Sequence, residues 1–126
     1  MKKRLIIVDD DPAITSIFEL ILKQAGYDVL SCSQGIECVE LAKTETHYDM
    51  VFLDLNLKEM SGLSVLEKLQ VLRPFLPVVM MGSYQEESDL KKIYDCGAYG
   101  IIYKPFDVEE VLEIIAQIVS IQFEKI

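Results

Sequence analysis

Two rhythms of apolar residues divide the chain. Short unbroken apolar runs cover residues 5–8, 50–53 and 78–81, and mixed runs rich in β-formers cover 27–32 and 99–103. Runs this short, closed by polar residues, fit strands buried on both faces of a parallel sheet better than helices. The run at 27–32 carries Asp28 and Ser31 and so fits an edge strand. Between the runs the apolar period lengthens to three or four. Ile14, Ile17, Phe18, Ile21 and Leu22 mark a first helix, opened by Asp11 as N-cap with Pro12 behind it and closed by Gly26. A second helix over 35–43 buries Ile36, Val39 and Leu41 or Ala42. The third follows Gly62, carries Leu63, Leu66, Leu69 and Val71, and ends before Pro74 and Pro77. Ser83-Tyr84-Gln85-Glu86 has the form of a capping box and announces a fourth helix with Leu90, Ile93, Tyr94 and Cys96, stopping at Gly97. Asp107 opens a long final helix.

Strand and helix thus alternate five times, without repeat, low-complexity tract or linker. That pattern predicts an α/β fold, a parallel sheet with helices on both faces. One domain over residues 1–126 is the expectation, long enough for a core that needs no staples. A chain that is 51% hydrophobic is not disordered. Cys32, Cys38 and Cys96 form no CxxC pair and read as small buried hydrophobes in a reducing, cytoplasmic setting. Lys2, Lys3 and Arg4 ahead of an apolar run mimic a signal peptide, but the run is too short and three aspartates follow it. No run reaches the length of a membrane span. A net charge of −9 argues against direct binding of nucleic acid.

The charge also has a place. In open parallel sheets, sites form outside the carboxyl ends of the strands. Asp9 and Asp10 end the first strand, Asp54 ends the third and Lys104 the fifth. Several carboxylates at one mouth raise each other's pKa unless a cation joins them. Hard oxygen ligands with open positions suit Mg²⁺, and an ammonium suits a phosphoryl group. Together they describe phosphoryl transfer onto Asp54 as nucleophile. Asp11 belongs to the helix cap instead.

Four motifs now bear on a family. Leu5-Ile6-Ile7-Val8-Asp9-Asp10-Asp11-Pro12, Val51-Phe52-Leu53-Asp54-Leu55 with Met60-Ser61-Gly62, Leu76-Pro77-Val78-Val79-Met80-Met81, and Lys104-Pro105-Phe106 resemble, in order and spacing, the receiver domain of two-component response regulators. The resemblance covers the whole chain. It implies a doubly wound, flavodoxin-like five-stranded sheet in the order 2-1-3-4-5 with five helices. It implies Asp54 as phosphoacceptor, Asp10 as a direct Mg²⁺ ligand, Asp9 as a ligand through water, and the Asn56 carbonyl on the metal. It implies further that Lys104 pairs with the phosphoryl oxygens, positioned by a cis bond to Pro105. The resemblance also implies a histidine kinase or phosphotransfer protein as donor, and a module that does at most self-phosphorylation and self-dephosphorylation.

The chain departs from that pattern in several places. Gly82 stands where the family has Thr or Ser, with Ser83 the nearest hydroxyl. Ile101 holds the aromatic switch position, Lys58 replaces a proline, and Asn56 and Tyr84 occupy rate-tuning positions. The parts that bind metal and accept phosphate are intact, while those that relay it are altered. The alternative is a degenerate receiver that engages partners without phosphorylation. A small Asp-nucleophile phosphatase is disfavoured because Asn56 stands where its second Asp belongs, and a flavodoxin-like electron carrier because no hydroxyl-rich phosphate loop follows the first strand.

The last helix carries a wide apolar arc. Val108, Val111, Leu112, Ile115, Ile118 and Val119 face inward, with Ile114, Ile121 and Phe123 outside. Such an arc fits a homodimer or an output domain, and the family uses the face of the fourth helix, fifth strand and fifth helix for that. His47 reads as a solvated loop residue, and Lys91-Lys92 as balancing Glu86, Glu87 and Asp89 on a solvated face. The chain stops soon after this helix, which suits a stand-alone regulator or an excised receiver.

Overall fold

The computed structural model describes residues 2–83 and 87–124, and the side chains of all of these except 87 and 121–124. Five strands and five helices alternate: β1 (Arg4–Val8), α1 (Pro12–Gln24), β2 (Asp28–Cys32), α2 (Gly35–Ala42), β3 (Met50–Asp54), α3 (Gly62–Leu72), β4 (Val78–Gly82), α4 (Glu87–Asp95), β5 (Gly100–Tyr103) and α5 (Val108–Glu124). The sheet is parallel throughout, in the order β2-β1-β3-β4-β5. The switch point between β1 and β3 puts the ends of both strands at one crevice. β2 is an edge strand, as its polar residues predict.

Side-chain alternation splits the core into two layers. Ile6, Val8, Val51, Leu53, Val78 and Met80 pack with Cys38, Val39, Val65, Leu66, Leu69 and Ile93, so α2, α3 and α4 cover one face. Leu5, Ile7, Phe52, Val79, Met81 and Ile102 pack with Phe18, Leu22, Val111, Ile115 and Ile118, so α1 and α5 cover the other. Every residue of β3 and β4 is buried. Such unbroken burial matches their unbroken apolar spelling.

The helix ends follow the predicted chemistry. Asp11 Oδ1 accepts the Ala13 N–H at 2.9 Å, with Pro12 in the first turn. Gly26 and Gly97 take positive φ of 93° and 104° just past α1 and α4. The capping box at 83–86 lies largely outside the described residues.

Several inward assignments are corrected. α2 buries Gly35, Cys38, Val39 and Ala42, so Ile36, one residue off that stripe, is 44% exposed. α3 buries Val65, Leu66 and Leu69, and Val71 falls on the far side, 83% exposed. Ile17 and Val108 also face solvent, Ile17 beside a stripe centred on Phe18 and Leu22, and Val108 in a first turn with helix on only one side of it. Ile114 packs against the second layer rather than lying outside, because Gly100 leaves its strand face open: a Cβ there would sit 3.3 Å from Ile114 Cδ1. Ile121 and Phe123 lie outside the described side chains.

The exposed His47 ring is not alone: its Nε2 lies 2.8 Å from Oδ1 of buried Asp49, whose Oδ2 accepts the Arg4 N–H. Lys91 pairs with Asp95 one turn on. Burial pushes the Cys32 and Cys38 thiols up to about 12, which keeps them inert packing groups. No helix among the described residues is long and apolar enough to cross a membrane.

Candidate functional site

The same alternation aims the strand tips. Asp9 continues the side of Leu5 and Ile7, Asp54 that of Met50 and Phe52, and Lys104 that of Ile102. All three emerge at the carboxyl edge on the α1 and α5 side. There Lys104 Nζ donates to Asp9 Oδ2 at 2.8 Å and to Asp54 Oδ2 at 3.3 Å. Asp9 is 1% and Asp54 4% exposed, while Asp10 is half-buried. Carboxylate oxygens of Asp9, Asp10 and Asp54 lie within 4.8 Å of one another. The Lys104-Pro105 bond is cis.

Backbone donors complete the frame. Asp9 Oδ1 accepts the Asp11 N–H at 2.9 Å, and Asp54 Oδ1 accepts the Asn56 N–H at 3.0 Å. Asp10 Oδ2 accepts the Lys58 N–H at 3.1 Å. Gly62 lets the β3–α3 loop return tightly: a Cβ there would lie 2.3 Å from the Asp54 carbonyl oxygen. A side chain cannot occupy that space.

Three carboxylates against one ammonium leave the pocket electrostatically short of positive charge. Burial pushes the Asp54 carboxyl above its ordinary value; the Asn56 N–H opposes this, the Asp9 charge adds to it, and Lys104 opposes it. Burial acts to lower the Lys104 pKa, but the hydrogen bond and charge of Asp9, then those of Asp54, outweigh it and leave the ammonium held above its ordinary range. Oxygen ligands of this kind, undercompensated and clustered, fit a hard divalent cation.

Gly82 and Ile101, expected to hold the switch positions, have definite surroundings. Gly82 ends β4, and a Cβ there would meet Leu55 Cδ1 at 2.9 Å. Ser83 follows it, exposed. Ile101 is half-buried against the first core layer. Tyr84 lies outside the described residues. The contacts of Lys58, Gln34 and Glu59 had no signal in residue type, since one is a backbone donor and the others are ordinary exposed polar residues.

The family model described as "Response regulator receiver domain" matches residues 5–116. Similar curated proteins include the DNA-binding dual master transcriptional regulator RpaA of Synechocystis sp., 37% identical over 86% of this chain and 46% of its own length. The alkaline phosphatase synthesis transcriptional regulatory protein PhoP of Bacillus subtilis is 32% identical over 88% of this chain and 46% of its own. This chain therefore spans about half the length of those relatives. Among solved structures, a CheY-like response regulator receiver domain protein from Methanospirillum hungatei superposes with a TM-score of 0.92 at 29% identity, covering 99% of both chains.

Proposed function

The chain belongs to the response regulator receiver domain family of two-component signal transduction, and from that premise we propose that residues 1–126 form one receiver that takes a phosphoryl group from a histidine kinase or phosphotransfer protein onto Asp54. The observation that carries this is the meeting of Asp9, Asp10 and Asp54 with the Lys104 ammonium at one strand edge.

Each residue has a task that its geometry suits. Asp54 Oδ1 is steadied by the Asn56 N–H, and Lys104 contacts Oδ2. The attacking carboxylate oxygen forms the P–O bond as the donor's P–N bond breaks, and the electron pair leaves with the imidazole nitrogen. Lys104, already between Asp9 and Asp54, is placed to follow the developing charge on the phosphoryl oxygens. Asp10 would hold Mg²⁺ directly, Asp9 would hold it through water, and Asn56 would offer its carbonyl. Bound Mg²⁺ supplies charge neutralisation for the transferring group. Ser83 continues the alternation of Val79 and Met81, the side on which Asp54 also lies, which supports it as a stand-in hydroxyl. Tyr84 and Asn56 tune the lifetime of the phosphoryl group. A homodimer or output domain then reads the state through the α4, β5 and α5 face, where Tyr94, Tyr99 and Val108 are exposed.

A second reading keeps the fold and drops the switch. Gly82 and half-buried Ile101 favour a module that binds partners without phosphorylation. Intact-mass measurement after acetyl phosphate and Mg²⁺ separates the two. One added phosphoryl group, lost in Asp54→Ala, is the expected result; no adduct on the unaltered protein refutes the first reading.

A further inference from the structure

The β3–α3 loop crosses above Asp10 and is closed on itself. Asn56 and Ser61 form an antiparallel bridge, and the Gly62 N–H donates to the Leu55 carbonyl at 2.9 Å. Two bonds leave its tip in different directions. The Lys58 N–H donates to Asp10 Oδ2 at 3.1 Å across 48 residues of chain. Gln34 Nε2 donates to Glu59 Oε1 at 3.0 Å.

Gln34 is the N-cap residue of α2, where it forms a capping box with Glu37. Glu37 Oε1 takes the Ser33 N–H, the Ser33 hydroxyl and the Gln34 N–H at 3.0–3.1 Å. That leaves the Gln34 amide to reach the loop. Asp10, Ser33, Gln34, Gly35, Leu57, Lys58 and Glu59 surround a cleft of about 220 Å³. Both bonds join residues that line it, so the cleft is bordered by one acid of the pocket and by the start of α2.

We propose that Lys58, through its backbone N–H, and the Gln34–Glu59 pair are positioning residues for Asp10, and that they couple occupancy of the acid pocket to the N-terminus of α2. This rests on reading the pocket as a divalent-cation site. Asp10 is the least buried of the three acids and has no cationic partner among the described ion pairs, so a neighbouring N–H is what orients it. Hydrogen bonds to ligating carboxylates set their orientation and hence their affinity. By linkage, a latch that favours the bound arrangement of Asp10 is itself favoured when the cation binds. The edge so addressed lies on the β2 side of the sheet, away from β5, Gly82 and Ile101.

The test is a Mg²⁺ titration of the ¹⁵N-labelled protein followed by amide NMR. The Asn56 amide, bonded to Asp54, reports the pocket; the Gln34 side-chain amide and the amides of 35–37 report α2. Both sets should shift with one midpoint. Gln34→Ala, which removes the side-chain reporter itself, should silence the amides of 35–37, keep the Asn56 response and raise its midpoint about two- to tenfold, the value of one hydrogen bond. Lys58→Pro, which removes the N–H, should raise the midpoint similarly, whereas Lys58→Ala should not. Gln34→Ala should lower the Tm in EDTA by the cost of a cap and one hydrogen bond, and its gap to the parent should widen when Mg²⁺ is added, which a merely structural role would not produce. An α2 set that stays still in the parent, or that shifts unchanged in Gln34→Ala, overturns the coupling while the cation site stands. A silent Asn56 amide overturns both.

Discussion

Asp54→Asn should make the metal-free protein more stable. The substitution keeps the shape of the side chain and an oxygen for the Asn56 N–H, and it removes one charge from a pocket that holds too many of one sign. At an effective dielectric of about 20, attraction between Lys104 and Asp54 at 3.3 Å is about 5 kcal/mol. Repulsion from Asp9 and Asp10, each within 4.8 Å, is about 3 kcal/mol apiece, so the Asp54 charge is opposed by roughly 1–2 kcal/mol before burial is counted. Water reaching the half-buried Asp10 screens part of this, and burial adds to it, so we expect about 1–2 kcal/mol, or a Tm about 3–8 °C higher for a chain of this size. The pH dependence has a definite sign. A carboxyl raised above its unfolded value holds its proton more tightly in the fold, so the parent loses stability as pH rises from the ordinary aspartate range through the raised one. The gap between Asp54→Asn and the parent should therefore open over that interval and close below it. Mg²⁺ at ten times its Kd stabilises the parent by about 1.4 kcal/mol and should narrow the gap. Calorimetry in EDTA and in Mg²⁺ across pH 4–8 decides the matter. An Asp54→Asn protein less stable than its parent at pH 7 in EDTA would refute the charge balance drawn here.

Two further outcomes concern the frame. Arg73 donates from Nε to the Ala42 carbonyl at 3.0 Å and from a terminal nitrogen to the Thr44 carbonyl at 2.8 Å, and lies 5.3 Å over the Tyr48 ring, so Arg73→Ala should cost about 2–3 kcal/mol in urea unfolding, with no recovery if the stapling of α2 to α3 is real and Lys is substituted instead. Gly82→Thr should cost no more than about 1 kcal/mol, because the atom nearest its Cβ is the end of the Leu55 side chain, which can turn aside, and a double-mutant cycle with Leu55→Val should show coupling, whereas strict additivity would show that the two do not touch.

The strands were the most legible part of this fold. Residues 50–53 and 78–81 are spelled in apolar letters because both faces of β3 and β4 are covered, and their shortness sets them apart from buried helices. Asp11-Pro12, Gly26 and Gly97 marked helix ends for reasons local to the backbone. Helix faces were less legible. Ile36 and Val71 have the chemistry of core residues and sit one or two places off stripes that begin at Gly35 and Gly62, and packing against the sheet and between α2 and α3 selects those stripes. Choosing between apolar neighbours on a helix is a tertiary decision.

The site divides in the same way. Asp9, Asp10, Asp54 and Lys104 could be gathered from the sequence because the end of a parallel strand has a fixed place in an open α/β sheet, and charge at that place has few uses besides binding. What orients those charges is written in atoms every residue possesses. The N–H groups of Asp11, Asn56 and Lys58 each hold one carboxylate, and no side-chain identity announces them. Lys58 makes the point sharply: its side chain says nothing about its bond to Asp10, yet a proline there would lack the donor altogether. The lysine that stands where the family has proline thus supplies a donor that the usual residue cannot. The residue types identify the chemistry of the acid pocket, and the backbone decides how firmly each acid is held to it.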